Sequence, residues 1–331
     1  MTHSQMRLTR GVLRNTTPIL FAVVFLIFGL LAPRFLTARN LEIIVSNASY
    51  IGIIAVGMTF VLLTGGIDLS VGAVMYVSAV VTGLVVNEAA LPAWVGLIAC
   101  LVVGLAFGAF NAFAVTRIGI VPFVATLVTM IAGRGIGLLI TKSVQVDFPE
   151  SITLLASVRL FGVLQLNILI YALVVVLAAV YLRATASGRR LYAVGNDPEA
   201  ARKAGLRTRR ITASSYVVCG VCAALGGFVS IAQLGRVPAG FGRGSEFDAI
   251  AAAVLGGVSL FGGVGTVFPG AVLGAVMIQM IQAGLVYTRV DLYIQPLVMG
   301  AIIFFAVFLD SYRNGLLKKL GRRNIMKMAD G

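Results

Sequence analysis

"AVGNDPEAARKAGL", Ala193 to Leu206, is a polar stretch in a chain that is otherwise mostly apolar, and what it is for decides how the rest is arranged. Asp197 can cap a helix by accepting from the free amides of its first turn, and Pro198 suits the first helical position, where a missing N–H costs nothing. Gly205 can end the helix in a left-handed conformation. Glu199 near the positive end of the helix dipole and Arg202 and Lys203 near its negative end complement it. These marks enclose about seven residues, roughly 10 Å of helix, below the about 12 to 15 residues that make an isolated helix marginally stable in water. Something must therefore hold it. One reading is a capped connector at the headgroup boundary; the other is a docking contact with a second protein, for which Ala200, Ala201 and Ala204 leave room.

The surroundings of this stretch are those of an integral membrane protein. Of 331 residues, 59% are hydrophobic and 11% charged, with a mean hydropathy of +1.01. A soluble globule has about 45–50% apolar and about 25% charged residues. Apolar runs close to the bilayer-spanning length of about 20 residues recur from end to end and leave no room for a large soluble domain. The runs predict an all-α, polytopic membrane protein of about ten transmembrane helices, near 18–33, 42–63, 70–87, 92–114, 121–140, 166–183, 211–233, 248–260, 267–285 and 294–310. The eighth is too short to cross unless it is broken or held within protein. Two halves in inverted topology, helices one to five and six to ten, are expected because each holds an odd number of spans.

Basic Arg7, Arg10 and Arg14 before the apolar run Pro18 to Ala32 have the outline of a secretory signal, but "LLAPRFLTARN" offers no small-residue cleavage site, so the run reads as a retained first helix. With the N-terminus inside, eighteen of the 26 lysines and arginines fall on inner segments and seven on outer ones. That bias puts both termini in the cytoplasm of a multi-pass protein of the bacterial inner membrane. Residues 1–17 form a cytoplasmic N-terminal segment, 18–310 the transmembrane domain with the longest inner loop at 184–210, and 311–331 a cytoplasmic tail. The net charge of +14 then reflects this bias and attraction to anionic membrane lipid, and no nucleic-acid partner is expected.

Catalytic and metal chemistry find no foothold. Cys100, Cys219 and Cys222 lie inside apolar runs as packing residues, and His3 is the only histidine. No G-x-x-x-x-G-K-[ST] occurs; "GGVSLFGGVGTV" lacks the lysine that would hold nucleotide phosphates. Catalytic residues, bound cofactor and metal are all expected to be absent.

Five ordered blocks carry a resemblance: "LTGGIDLSVG" (Leu63 to Gly72), "GAFNAFAVTRIGIVPFVATL" (Gly108 to Leu127), "AGRG" (Ala132 to Gly135), the stretch at Ala193 to Leu206, and "FDAIAAAVLGGVSLFGGVGTVFPG" (Phe247 to Gly270). Over about residues 40 to 310 the chain resembles the membrane permease subunits of ABC importers for ribose, xylose, arabinose and galactose. The resemblance implies that the inner loop carries a coupling helix seated in a cleft of a cytoplasmic ABC ATPase, with Gly195, Asn196, Asp197, Pro198, Glu199, Ala200, Ala201 and Gly205 as the contact. It implies further partners: an extracytoplasmic sugar-binding protein and a second permease copy or paralogue. ATP would be used by the partner ATPase.

Other polar positions leave alternatives open. In "TGGIDLS", Gly65 and Gly66 can end one helix, and Asp68 or Ser70 can cap the next; the stretch is either a tight inner turn or part of the translocation path or gate, together with Asn111 and Thr126. Arg134 lies within an apolar run, and a structural ion pair with Glu246 or Asp248 is expected for it. Arg236, Arg243 and Arg289 are either solvated loop residues or docking contacts for the binding protein. Permeases for branched-chain amino acids or nucleosides share some of the helix pattern. An ion-coupled secondary transporter would show acidic residues at the membrane midplane, a channel would need no coupling loop, and an intramembrane enzyme would need constellations that are missing.

Overall fold

The computed structural model describes residues 16–308 except 161, 163, 292 and 306. The basic N-terminal residues, the tail at 311–331 and the last residues of the predicted tenth helix lie outside these.

The apolar runs form helices close to where the sequence predicts them: α1 (Thr16–Leu31), α2 (Ala38–Leu63), α3 (Val71–Gly83), α4 (Ala93–Phe113) and α5 (Pro122–Thr141), then α6 (Glu150–Ser157) and α7 (Leu166–Ala184). The chain continues through α8 (Ala186–Asn196), α9 (Pro198–Lys203), α10 (Thr208–Leu234), α11 (Ser245–Leu255), α12 (Val272–Tyr287) and α13 (Gln295–Phe305). Wider π turns extend α3 to Glu88 and α4 to Ile118, and one at Val267–Ala271 leads into α12. With these turns included, seven helices are long and apolar enough to cross a membrane; α1 and α13 are apolar but shorter.

Two boundaries differ from expectation for local reasons. Helix α2 begins four residues early because Thr37 caps it, its hydroxyl accepting from the Asn40 amide. Helix α11 stops at Leu255, not near 260, because Gly256 and Gly257 follow and Gly257 takes a left-handed φ of +88°. In the connection from α5 to α7, α6 and two short strand pairs were not legible as apolar runs. Val146–Asp147 (β1) pairs antiparallel with Arg236–Val237 (β4), and Arg159–Leu160 (β2) with Leu164–Gln165 (β3).

Burial sorts the spans into hub and rim. The most apolar window of α2 and of α3 is 72% buried and that of α10 67%, against 22% for α4 and 28% for α5 and α7. The rim helices turn Leu, Ile, Val and Phe side chains outward, as lipid-facing surfaces require. Helices α4 and α10 meet through small residues. A Cβ on Gly104 would lie 2.5 Å from the Gly220 carbonyl oxygen, and one on Gly108 2.7 Å from that of Tyr216. This is the close backbone approach that small-xxx-small spacing permits where no hydrophobic effect drives helices together.

Candidate functional site

The inner loop 184–210 folds as two helices in sequence, α8 and α9, where one was expected. Thr185 caps α8 by accepting from Gly188, and Leu191, Val194 and Gly195 bury its inner face. Tyr192 donates its hydroxyl to the Gly265 carbonyl at 2.9 Å, and burial pushes its phenol up from the ordinary range. Gly195 is wedged in backbone: a Cβ there would collide with the carbonyl oxygen of Leu63, at the end of α2, and lie 2.6 Å from the Gly263 nitrogen. The Gly263 amide itself donates to Leu63 at 3.0 Å. Three segments thus close on one point: the end of α8, the end of α2 and the loop between α11 and α12.

Helix α9 carries the predicted caps. Asp197 accepts from the amides of Glu199 and Ala200, both at 2.9 Å, Pro198 sits in the first turn, and Gly205 has φ +82°. An exposed ion pair, Lys203 to Glu199 at 3.3 Å, spans its one turn. Of the eight residues expected to meet a partner, Asn196, Asp197, Pro198, Glu199, Ala200 and Gly205 are exposed. Gly195 and Ala201 are buried within the chain itself, so their part is to seat the two helices. The missed signal for α8 was Thr185 followed by Leu191 and Val194 on one face. Beside α9, Arg117, Arg202, Arg207, Arg209 and Arg210 border a basic cup of about 590 Å³.

At the turn from α2 to α3, Asp68, Ser70, Asn111 and Thr126 are all fully buried. Asp68 Oδ1 accepts from the Ser70 amide at 2.9 Å and hydroxyl at 2.6 Å. Asn111 of α4 donates to Ser70 Oγ at 2.8 Å, and Thr129 of α5 donates to Asn111 Oδ1 at 2.7 Å. Thr126 donates back to the Pro122 carbonyl at 3.0 Å and toward that of Ile67 at 3.3 Å. Neither Asp68 nor Ser70 caps α3 through its side chain, contrary to expectation; the carboxylate holds the turn itself. Gly65 takes a left-handed φ of +75° and Gly66 lies against Tyr216 of α10. The cluster ties the turn between α2 and α3 to α4 and α5. Thr129 belongs to it and was not singled out from sequence, where a threonine in an apolar helix reads as bonded to its own backbone.

The expected pair of Arg134 and Asp248 is not formed. Arg134 donates to the Phe241 carbonyl and lies over the Tyr76 ring, 5.5 Å from its centroid, while Asp248 accepts from Gln282 of α12 at 3.3 Å. Arg134 and Glu246, the alternative partner, instead flank Gly72, where an added Cβ would meet both. The connection between α10 and α11 explains the change: Gly242 backs onto the Gly72 carbonyl, so this segment enters the bundle. Arg236, Arg243 and Arg289 are exposed, but Arg243, expected on the outer rim, faces a groove within the bundle. Among the described residues no cluster of three or more His, Cys, Asp or Glu could hold a metal, and the three cysteines are buried.

A family model described as "Branched-chain amino acid transport system / permease component" matches residues 40–307. The chain belongs to this family. It is 34% identical over 312 residues to the Autoinducer 2 import system permease protein LsrC of Yersinia enterocolitica, covering 94% of this chain and 85% of that protein. To the protein of the same name from Escherichia coli O9:H4 it is 36% identical over 313 residues, covering 94% and 90%. No solved structure matches it. The protein is thus a permease component of an ABC importer, a multi-pass transport subunit and not an enzyme. That role brings with it an ATPase and a substrate-binding protein as partners.

Proposed function

We propose that the chain translocates a monosaccharide, a pentose or hexose, across the bacterial inner membrane, driven by a separate ATPase that engages α8 and α9. One observation carries this reading: α9 is capped and its outer face is exposed, while the buried face of α8 ends on Leu63 and Gly263. Closure of two ATPase subunits around ATP would push on α9, and the wedged Gly195 would pass that displacement to α2 and to the loop between α11 and α12. The Asp68 cluster, next to this joint, would act as the gate by holding or releasing α3 against α4 and α5. A two-state bundle biased by nucleotide needs such a joint. Two permease copies, identical or paralogous, follow from the pairing of ATPases, and this chain itself binds no cofactor.

The reading counts α1, α11 and α13 with the seven long apolar helices as a ten-helix permease with both termini cytoplasmic; the basic bias, which the arginine cup beside α9 extends, supports that orientation and suits anionic lipid. Arg236 and Arg289 remain as docking contacts for the binding protein, and Arg243 contributes where the groove opens. The sugar reading draws on the autoinducer-2 import relatives and the block from Phe247 to Gly270; the family description favours branched-chain amino acids as the second reading.

The test is reconstitution with the ATPase and binding protein encoded beside this chain. Gly195→Val, which must displace Leu63 or Gly263, is expected to lower ATP-driven uptake at least about tenfold while membrane insertion persists. Uptake at the wild-type rate in this variant would refute the joint. Competition by leucine and not by pentoses or hexoses would select the second reading.

A further inference from the structure

The end of α4 and the start of α10 stand side by side and part to form the basic cup beside α9. The two helices touch where a Cβ on Gly108 would lie 2.7 Å from the Tyr216 carbonyl oxygen. Toward α9, α4 runs on through its π turn to Ile118 and α10 begins at Thr208, and the cavity of about 590 Å³ lies between those ends. Arg117 reaches it from the π turn, Arg202 from α9, and Arg207, Arg209 and Arg210 from the start of α10. All five arginines are exposed, and no carboxylate is among the lining residues.

The inner-side bias of lysine and arginine asks only that cations lie on one side of the membrane. It does not ask segments far apart in sequence to bring five of them to one concavity. Like charges brought together repel, and an anion among them removes that cost. Among the described residues the ion pairs are Arg159 with Glu42 and Lys203 with Glu199, so none of the five guanidinium groups is neutralised there. Asp197, the other nearby carboxylate, is committed to capping α9. No side chain caps α10, and the positive end of this 27-residue helix opens on the same cup. Guanidinium forks match phosphate oxygens two at a time.

The wall beside the cup is apolar. Phe110, Phe113 and Arg117 follow one face of α4 and its π turn, and both phenylalanines are more than half exposed. Ile118 and Val121, on the way into α5, are exposed as well, and Leu206 and Ala213 belong to the lining itself. A ligand that satisfies both halves carries phosphate at one end and hydrocarbon at the other. A soluble phosphate would engage the cations alone.

We propose that the cup is a binding site for an anionic phospholipid of the leaflet on the α9 side, with the headgroup phosphate among the five arginines and the acyl chains along Phe113 and Phe110. Basic pockets between transmembrane helices at a membrane surface hold acidic headgroups in this way. The site is independent of which solute the permease carries. A lipid held there bridges the end of α4 to the base of α9, since Arg202 lies on α9 and the Leu206 amide donates back to the Ala201 carbonyl at 3.0 Å. It thereby limits how far α9 can tilt against the bundle.

The test uses the full-length chain in detergent, with bound lipids counted by native mass spectrometry as phosphatidylglycerol, cardiolipin or phosphatidylcholine is titrated in. The wild type is expected to hold one anionic lipid at a concentration about tenfold below that needed for phosphatidylcholine. Arg117→Gln combined with Arg209→Gln, one cation from each side of the cup, is expected to weaken anionic lipid binding about tenfold. Arg189→Gln combined with Arg190→Gln removes the same charge from exposed positions on α8 and is expected to leave it unchanged. A melting temperature near that of the wild type shows that each variant is folded. Equal affinity of the wild type for anionic and zwitterionic lipid overturns the proposal without any variant, and so does an equal loss in the two double variants. Millimolar inorganic phosphate is expected not to displace the lipid; displacement makes the cup a site for free phosphate and overturns the lipid. A cup variant that keeps its lipid but no longer binds the ATPase makes the cup a protein contact and overturns the proposal as well.

Discussion

Around Asp68 the polar side chains bond closely to one another, while at Asp248 and Gln282 they stand farther apart. Asp68, Ser70, Asn111 and Thr129 are buried and joined by hydrogen bonds of 2.6 to 2.9 Å across three chain segments. In the groove, Gln282 reaches Asp248 only at 3.3 Å, Gln279 stands against the Tyr50 phenol, and Asn47 is exposed. The difference teaches what polar residues do in an apolar bundle. A closely bonded cluster, even with Asp68 Oδ2 left without a hydrogen bond, specifies which helices pack together, since each member would be costly if separated.

The contrast can be broken most sharply by exchanging amides for leucine in both places. Asn111→Leu removes its bonds to Asp68, Ser70 and Thr129, while Ser70 keeps Asp68 and Thr129 keeps the Ala125 carbonyl, and about 1–3 kcal/mol of stability should be lost. Gln282→Leu should cost under about 1 kcal/mol, because its one bond is long and the site half-open. Thermal unfolding of the detergent-solubilised protein measures both, and equal losses would erase the distinction.

A subtler probe is pH. Asp68 lies in the connection between two spans, and burial raises its carboxyl above the usual range against the opposing hydrogen bonds from Ser70. The folded protein therefore binds this proton more tightly than the unfolded chain does. The associated stability is complete below the ordinary carboxylate range and is lost as pH rises through the elevated folded value. Asp68→Asn should flatten that part of the pH profile, and an unchanged slope would remove Asp68 as its source. The smallest effect is expected outside both clusters: Lys203→Ala breaks an exposed one-turn ion pair and should shift stability by no more than about 0.5 kcal/mol, while the Asp197 cap keeps α9 formed. A larger loss on the same unfolding measurement would mean that α9 leans on that pair.

Much of this was legible before any fold was known. The caps of α9 lie within a few residues of what they cap, so Asp197, Pro198 and Gly205 could be read directly. Helix ends followed apolar runs closely, except where Thr37 or the Gly256–Gly257 pair intervened. The coupling loop was half legible: α9 announced itself by its caps, whereas α8 depended on burying Leu191, Val194 and Gly195 against segments far away in sequence. Arg134 was half legible: Glu246, one of its two expected neighbours, stands with it at Gly72, but its bond to the Phe241 carbonyl depended on the α10 to α11 connection turning into the bundle, which nothing local reports.

Composition and hydropathy by themselves determined that this chain is a helical membrane bundle, because transfer from water to hydrocarbon acts on each residue separately. The arrangement of its polar groups was decided only by tertiary structure. Whether an amide meets a carboxylate, a carbonyl or an open groove depends on the approach of helices dozens to hundreds of residues apart, and a hydrogen bond exists only where that approach brings donor and acceptor within about 3 Å.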